Sequence, residues 1–164
     1  GAEKHHVTLA CVLDALKMAG IEDARQGEVV LFRTGWNNLW RGNMEKSQAQ
    51  AMADNATFNS GGPGISPEVC DHLATRKISM LGADNWGIEP YDFTGKGQWP
   101  TKFEDVKEWA YCHMNLSVRR GIYLFENLDL KDLGERGPAE VLFTWAPLKL
   151  VGATGSPGNP VAAW

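Results

Sequence analysis

His113 and Glu126 are the residues of this chain whose types and spacing could carry chemistry. Cys112-His113-Met114-Asn115-Leu116 falls in a helical pattern that runs through Arg119-Arg120 to Gly121. Glycine stops a helix well because it enters the left-handed conformation without steric cost. Ile122-Tyr123-Leu124-Phe125 is then a short apolar, strand-like run that delivers Glu126 to its far end. Imidazole and carboxylate at adjoining element ends can bind a divalent metal, or act as a general base with its orienting partner. The plainer alternatives are a hydrogen-bonded histidine on a half-buried helix and a surface carboxylate at a strand end. Four apolar residues precede Glu126, and a buried unpaired charge would be costly there. A partner is therefore expected, with His113 or a metal as the candidate.

Other residues invite functional readings of their own. Asp84 ends a strand-like run, Ile78 to Ala83, and reads as an N-cap for a following turn more readily than as a group supporting a metal site. Arg33-Thr34-Gly35-Trp36 also ends a strand pattern, with Arg33 placed to hold the loop. Seven tryptophans are many for 164 residues, and Trp36, Trp40, Trp86 and Trp99 lie in loop-like sequence. Such side chains spread a core beneath loops, wall a flat organic ligand, or bury an oligomer contact. Trp36 and Trp86 are the candidate substrate-binding residues. His72 sits among polar neighbours and reads as exposed. Cys11, Cys70 and Cys112 are odd in number and lack CxxC spacing, so they indicate neither a disulfide framework nor a structural zinc site. Cys112 and His113, adjacent on a helix, diverge too far to form a dyad.

The elements that must position these residues alternate. Leu9, Val12, Leu13 and Leu16 recur at helical spacing between a Thr8 cap and a Gly20 stop. Val29 to Phe32 is a buried-strand run, Arg33 to Lys46 a long loop, and Ser47 to Ala53 a short helix. Residues 59–64 are turn material. Ser66-Pro67 opens a helix to about Arg76 in the preferred cap-then-proline order. Residues 85–103 form a long irregular stretch, of a kind usually functional in a compact domain. A helix follows from Asp105 to Val118, then the strand before Glu126, a helical turn over Asp129 to Leu133, and strands at Val141 to Trp145 and Leu148 to Val151. Helices alternating with strands indicate an α/β fold. Gly152-Ala153-Thr154-Gly155-Ser156-Pro157-Gly158 lacks nucleotide-loop spacing and reads as a tight turn before a last strand.

Five segments in order carry a resemblance: Val30 to Trp36, Gly62 to Ser66, Leu81 to Gly87, Cys112 to Leu128, and Ala146 to Pro157 closing with Pro160-Val161-Ala162. Together they resemble the cyclase family of metal-dependent hydrolases, which includes bacterial kynurenine formamidase and isatin hydrolase. The resemblance runs from about Leu9 to Ala162. It implies a cyclase-like β-sheet or barrel core flanked by helices, and a metal-dependent hydrolase of a cyclic or open amide or ester. His113 and Glu126 match residues that complete the family's metal site or contact its water, which makes them the expected catalytic and metal-binding pair. Zinc or manganese is the implied cofactor. The family's His-Xaa-Gly-Thr-His-Xaa-Asp motif has no counterpart here, and His5-His6 lacks its glycine, threonine and aspartate. The chain therefore looks like the C-terminal portion of a family member, incomplete at its N-terminus. On this reading it is inactive alone, with weak metal binding or none, which leaves a binding or assembly role as the alternative.

Composition bounds the rest. The length suits one domain, residues 1–164, with a substantial core. A net charge of -4 gives no electrostatic reason to expect nucleic acid. No apolar run approaches the ~18 residues of a membrane span, and a cytoplasmic location is the expectation; the N-terminus reads as a cut or tagged end, so the absence of a signal sequence carries no weight in it. The expected partner is a small-molecule amide or ester. Uncovered strand edges and many tryptophans further predict a homo-oligomer, most simply a two-fold dimer, or a chain bound to its missing half.

Overall fold

The centre of the fold is a three-stranded parallel sheet in the order β2-β5-β7, made of Val29–Phe32 (β2), Met80–Ala83 (β5) and Tyr123–Phe125 (β7). The computed structural model describes residues 6–41, 46–92, 110–135, 137 and 139–163, with backbone only at Arg41 and Asp92. All four residues of β5 are buried, as a strand flanked on both sides requires. β2 is half-buried, and β7 exposes Tyr123. Parallel neighbours cannot be joined by tight turns, so helical segments lie between them in sequence.

Those segments follow local sequence chemistry. In α1 (Leu9–Ala19) the Thr8 side chain accepts from the Cys11 N–H, and Gly20 closes the helix at φ 69°. A short α2 (Asn38–Arg41) interrupts the expected long loop after β2. Helix α3 (Gln48–Phe58) starts at a Ser47 cap and runs five residues beyond the expected Ala53. Asn55 and Thr57 lower helix propensity there, but Phe58 is buried and its packing anchors the last turn. Helix α4 (Pro67–Arg76) has the expected bounds.

The turn material at 59–64 forms two short strands around Pro63. Gly61–Gly62 (β3) pairs antiparallel with Tyr91–Asp92 (β6), and Gly64–Ile65 (β4) pairs parallel with His6–Val7 (β1). The expected helix from Asp105 begins outside the described residues. Its described end is a π-helix, His113–Val118, continuing to Arg120. Lys131–Gly134 is a helical turn, and Leu142–Thr144 (β8) pairs antiparallel with Val161–Ala163 (β9). Leu148 to Val151 is not a strand. A single bridge, Pro147 to Gly158, precedes a turn at Gly152 with φ 76°.

The core lies where α1, α4 and the π-helix meet the sheet. Val12, Val69, Leu73, Leu81, Leu116 and Ile122 are among its buried residues. The architecture is α/β, and among the described residues the strands do not close into a barrel.

Candidate functional site

The segment leaving β5 shapes the site, and it is fixed on three sides. Asp84, buried, accepts from the Thr34 N–H at 2.7 Å, the Thr34 hydroxyl at 2.7 Å and the Gly35 N–H at 2.8 Å. In place of the N-cap for a following turn that its sequence position suggests, Asp84 anchors the loop after β2. The Asn85 side-chain amide donates to the Pro63 carbonyl at 2.5 Å, and the Asn85 backbone carbonyl accepts from Asn127 N–H at 2.8 Å. Ile65 N–H donates to the Ile88 carbonyl at 3.0 Å. Gly64 makes this approach possible, because an ideal Cβ there would lie 2.2 Å from the Glu89 carbonyl carbon. Glu89 is thereby delivered to the interior, 5% exposed.

His113 opens the π-helix and meets Glu89 twice. One Glu89 oxygen accepts from the His113 backbone N–H at 2.7 Å; the other lies 2.7 Å from Nδ1. On the far side of the ring, Nε2 is 3.2 Å from Glu126 Oε1. The structure thus brings together the two residues picked out by sequence, His113 and Glu126. Glu126 is less buried than its apolar approach suggested, because β7 is an edge strand. Burial disfavours charge on His113, but the hydrogen bonds to Glu126 and Glu89 and the negative charge of both outweigh it. Its pKa is pushed up to about 10. The Tyr91 hydroxyl lies 3.3 Å from Glu89, and burial first, then the charges of Glu89 and Glu126, raise the phenol well above its ordinary value.

Aromatic rings stand around this cluster. Trp86 meets Tyr91 edge to face at 5.5 Å, and the Tyr91 ring in turn packs over Gly87, where a Cβ would be 1.7 Å away. Trp36 lies against Gly62, the strand partner of Tyr91, and its buried Nε1 has no hydrogen-bond partner among the described residues. Both candidate substrate residues therefore belong to the surroundings of Tyr91. Arg33 is exposed and packs along Gly134.

Two expectations are corrected. His72 is not exposed; its Nε2 is 3.1 Å from Asp23, which also pairs with Arg76 at 2.5 Å, so it ties the 21–28 loop to α4. Cys70 and Cys112 form a disulfide with Cα atoms 5.6 Å apart, joining α4 to the residue before His113. A separation of 42 residues says nothing about proximity until α4 and the π-helix are packed. Glu89 and Tyr91 were missed altogether. Their only signal was a carboxylate and a phenol in a long aromatic loop just beyond a strand end.

The donor set fits two positions of a divalent cation. Neighbouring ligands with bonds of about 2.1 Å lie about 3.0–3.4 Å apart, and the 3.2 Å between His113 Nε2 and Glu126 Oε1 falls in that range. Glu89 cannot join them on one ion, because it faces Nδ1 on the opposite side of the ring. Among the described residues no three His, Cys, Asp or Glu converge as a complete set. These residues also contain no helix long and apolar enough to cross a membrane.

Comparison with known proteins agrees with this architecture. The family described as "Putative cyclase" matches residues 2–90, more than half of the chain but upstream of His113 and Glu126. No curated protein matches the chain significantly. Among solved structures, one described as a novel cyclase superposes with a TM-score of 0.73 at 22% identity, covering 100% of this chain and 48% of its own. Isatin hydrolase A from Ralstonia solanacearum superposes at 0.67 and 23% identity, covering 98% and 54%. A structure described as a potential metal-dependent hydrolase with cyclase activity superposes at 0.51 and 19% identity, covering 96% and 62%. At these identities the likeness is one of fold. The chain spans about half the length of the first two.

Proposed function

The chain belongs to the cyclase family, and on that footing we propose that it serves a metal-dependent hydrolase acting on a cyclic or open amide or ester. The observation that carries this reading is the His113–Glu126 pair, two donors at ligand spacing with the imidazole held from behind by a buried carboxylate. His113 Nε2 and Glu126 would hold two positions on a zinc or manganese ion. When bound, such an ion polarises a carbonyl and lowers the pKa of its water toward ~7. The chain's own residues orient the imidazole, keep Glu126 beside it, and supply aromatic walls at Trp86 and Trp36 for a flat substrate. Names among the fold relatives support the reaction class, since they include an isatin hydrolase and a potential metal-dependent hydrolase.

The test is metal content and amide hydrolysis by the protein expressed from its complete gene, with and without His113→Ala and Glu126→Ala. Loss of bound metal, together with at least a hundredfold fall in hydrolysis, is expected of each variant. Unchanged metal content and unchanged activity would overturn the assignment.

A second reading is a catalytically empty domain that binds or assembles. It is motivated by the incomplete ligand set among the described residues and by the exposed apolar side chains Leu142, Leu148, Leu150, Val151 and Val161 near the C-terminus. Tight stoichiometric zinc or manganese binding by the 164-residue chain, with hydrolysis, would exclude it. We read residues 1–164 as one domain, and the homo-oligomer as its assembled form.

A further inference from the structure

We infer that Glu89 is a positioning residue that sets which ring nitrogen of His113 faces Glu126 and keeps that nitrogen available as a donor. The inference deepens the proposed hydrolase reading and rests on it for its purpose, though not for its geometry.

Glu89 uses both oxygens on one residue, accepting from the backbone N–H of His113 and facing Nδ1, each at 2.7 Å. The first contact fixes where the π-helix begins, and the second fixes the ring about its own axis. An ionised carboxylate only accepts, so opposite a Glu89 carboxylate Nδ1 carries the hydrogen between them. In the neutral imidazole the lone pair is then on Nε2, the nitrogen 3.2 Å from Glu126. A carboxylate behind a metal-binding histidine fixes tautomer and ring orientation in this way, and its loss typically costs 10–100-fold in metal affinity.

The carboxylate itself is held firmly. Gly64 admits the Glu89 backbone against β4, the neighbouring Ile88 carbonyl accepts from Ile65 N–H, and the Tyr91 hydroxyl reaches the oxygen that faces Nδ1. A surface carboxylate that merely balanced charge would need none of these supports.

Glu89→Gln separates positioning from simple space-filling. Glutamine has the same shape but one acceptor for two donors. If its oxygen takes the His113 backbone N–H, its amide donates to Nδ1, so the one hydrogen of the neutral imidazole sits on Nε2 and the lone pair no longer faces the cation position. The experiment is 15N NMR of histidine-labelled chain, metal-free and then titrated with zinc, on wild type and Glu89→Gln, with circular dichroism to establish that the variant is folded. The wild type should show a His113 Nδ1–H resonance protected from exchange and a fast-exchanging Nε2. Glu89→Gln should lose the protected Nδ1–H, and zinc affinity at His113 should fall 10–100-fold. A protected Nδ1–H that persists in a folded Glu89→Gln would overturn the inference. If the variant does not fold, the wild type decides, because a rapidly exchanging Nδ1–H there is equally fatal. Should the wild type bind no zinc, the hydrolase reading fails, while the Nδ1 resonance still decides the role of Glu89.

Discussion

Glu89 occupies the space that a side chain on Gly64 would fill, with its carbonyl carbon 2.2 Å from the position of an added Cβ. The atoms met are backbone, so neither residue can yield without moving its strand or loop. Gly64→Ala should therefore cost about 1–3 kcal/mol through overpacking, read as a lower urea midpoint. It should also weaken the Glu89–His113 contact, read as faster exchange of the His113 amide. An unchanged midpoint would mean that the two segments are not in contact.

The Cys70–Cys112 bond closes a separation of 42 residues and ends one residue before His113. Both cysteines are fully buried. Reduction, or Cys70→Ser, should lower stability by about 2–4 kcal/mol, chiefly by freeing the unfolded chain. Paired denaturation curves with and without a phosphine reductant check this. Coincident curves, with two free thiols counted in unreduced protein, would show that the bond does not form.

Asp84 satisfies three donors of the loop that begins after β2. Asp84→Ala leaves the Thr34 and Gly35 N–H groups without their acceptor and should cost about 3 kcal/mol, the scale of losing buried bonds to a charged group. Trp36 follows directly in sequence, so its fluorescence should shift toward that of a solvated indole. Thr34→Val removes only the hydroxyl bond and should cost less.

His113 makes stability depend on pH. Its folded pKa is raised to about 10, against ~6.5 for an unperturbed histidine. The protonated imidazole therefore favours the folded state fully below about pH 6.5, and that contribution is lost as pH rises through about 10. Urea midpoints of metal-free wild type should fall between pH 7 and 10 more steeply than those of His113→Gln. Binding a cation at Nε2 must displace this proton, so metal uptake at neutral pH should release close to one proton per ion. Parallel pH curves for the two proteins would show that His113 is not held between carboxylates.

Much of this was legible in sequence where the signal is local. The Thr8 cap, the Ser66-Pro67 helix start, the stop at Gly20, and the runs Val29–Phe32 and Ile78–Ala83 each carry their cause within a few residues. His113 and Glu126 could be paired because one helix end and one short strand separate them. The rest depends on contacts across the fold. Glu89 reaches His113 across 24 positions, and Asp71 binds both Tyr111 and Asn115 from α4. No periodicity records such contacts, nor the extra residue per turn that makes 113–118 a π-helix. His72 failed for the same reason, its partner Asp23 lying 49 positions away. Leu148 to Val151 is apolar in sequence yet exposed, and it lacks a strand partner among the described residues.

The central claim is that His113 Nε2 and Glu126 Oε1 are neighbouring ligands of one divalent cation. Anomalous diffraction from crystals of the chain soaked separately in manganese and zinc tests it most directly. The predicted result is a peak within about 2.0–2.3 Å of both atoms, with Glu89 still on Nδ1, and no such peak in His113→Ala. Saturating metal that leaves the pair at 3.2 Å with no density between them, or that binds elsewhere, would contradict it.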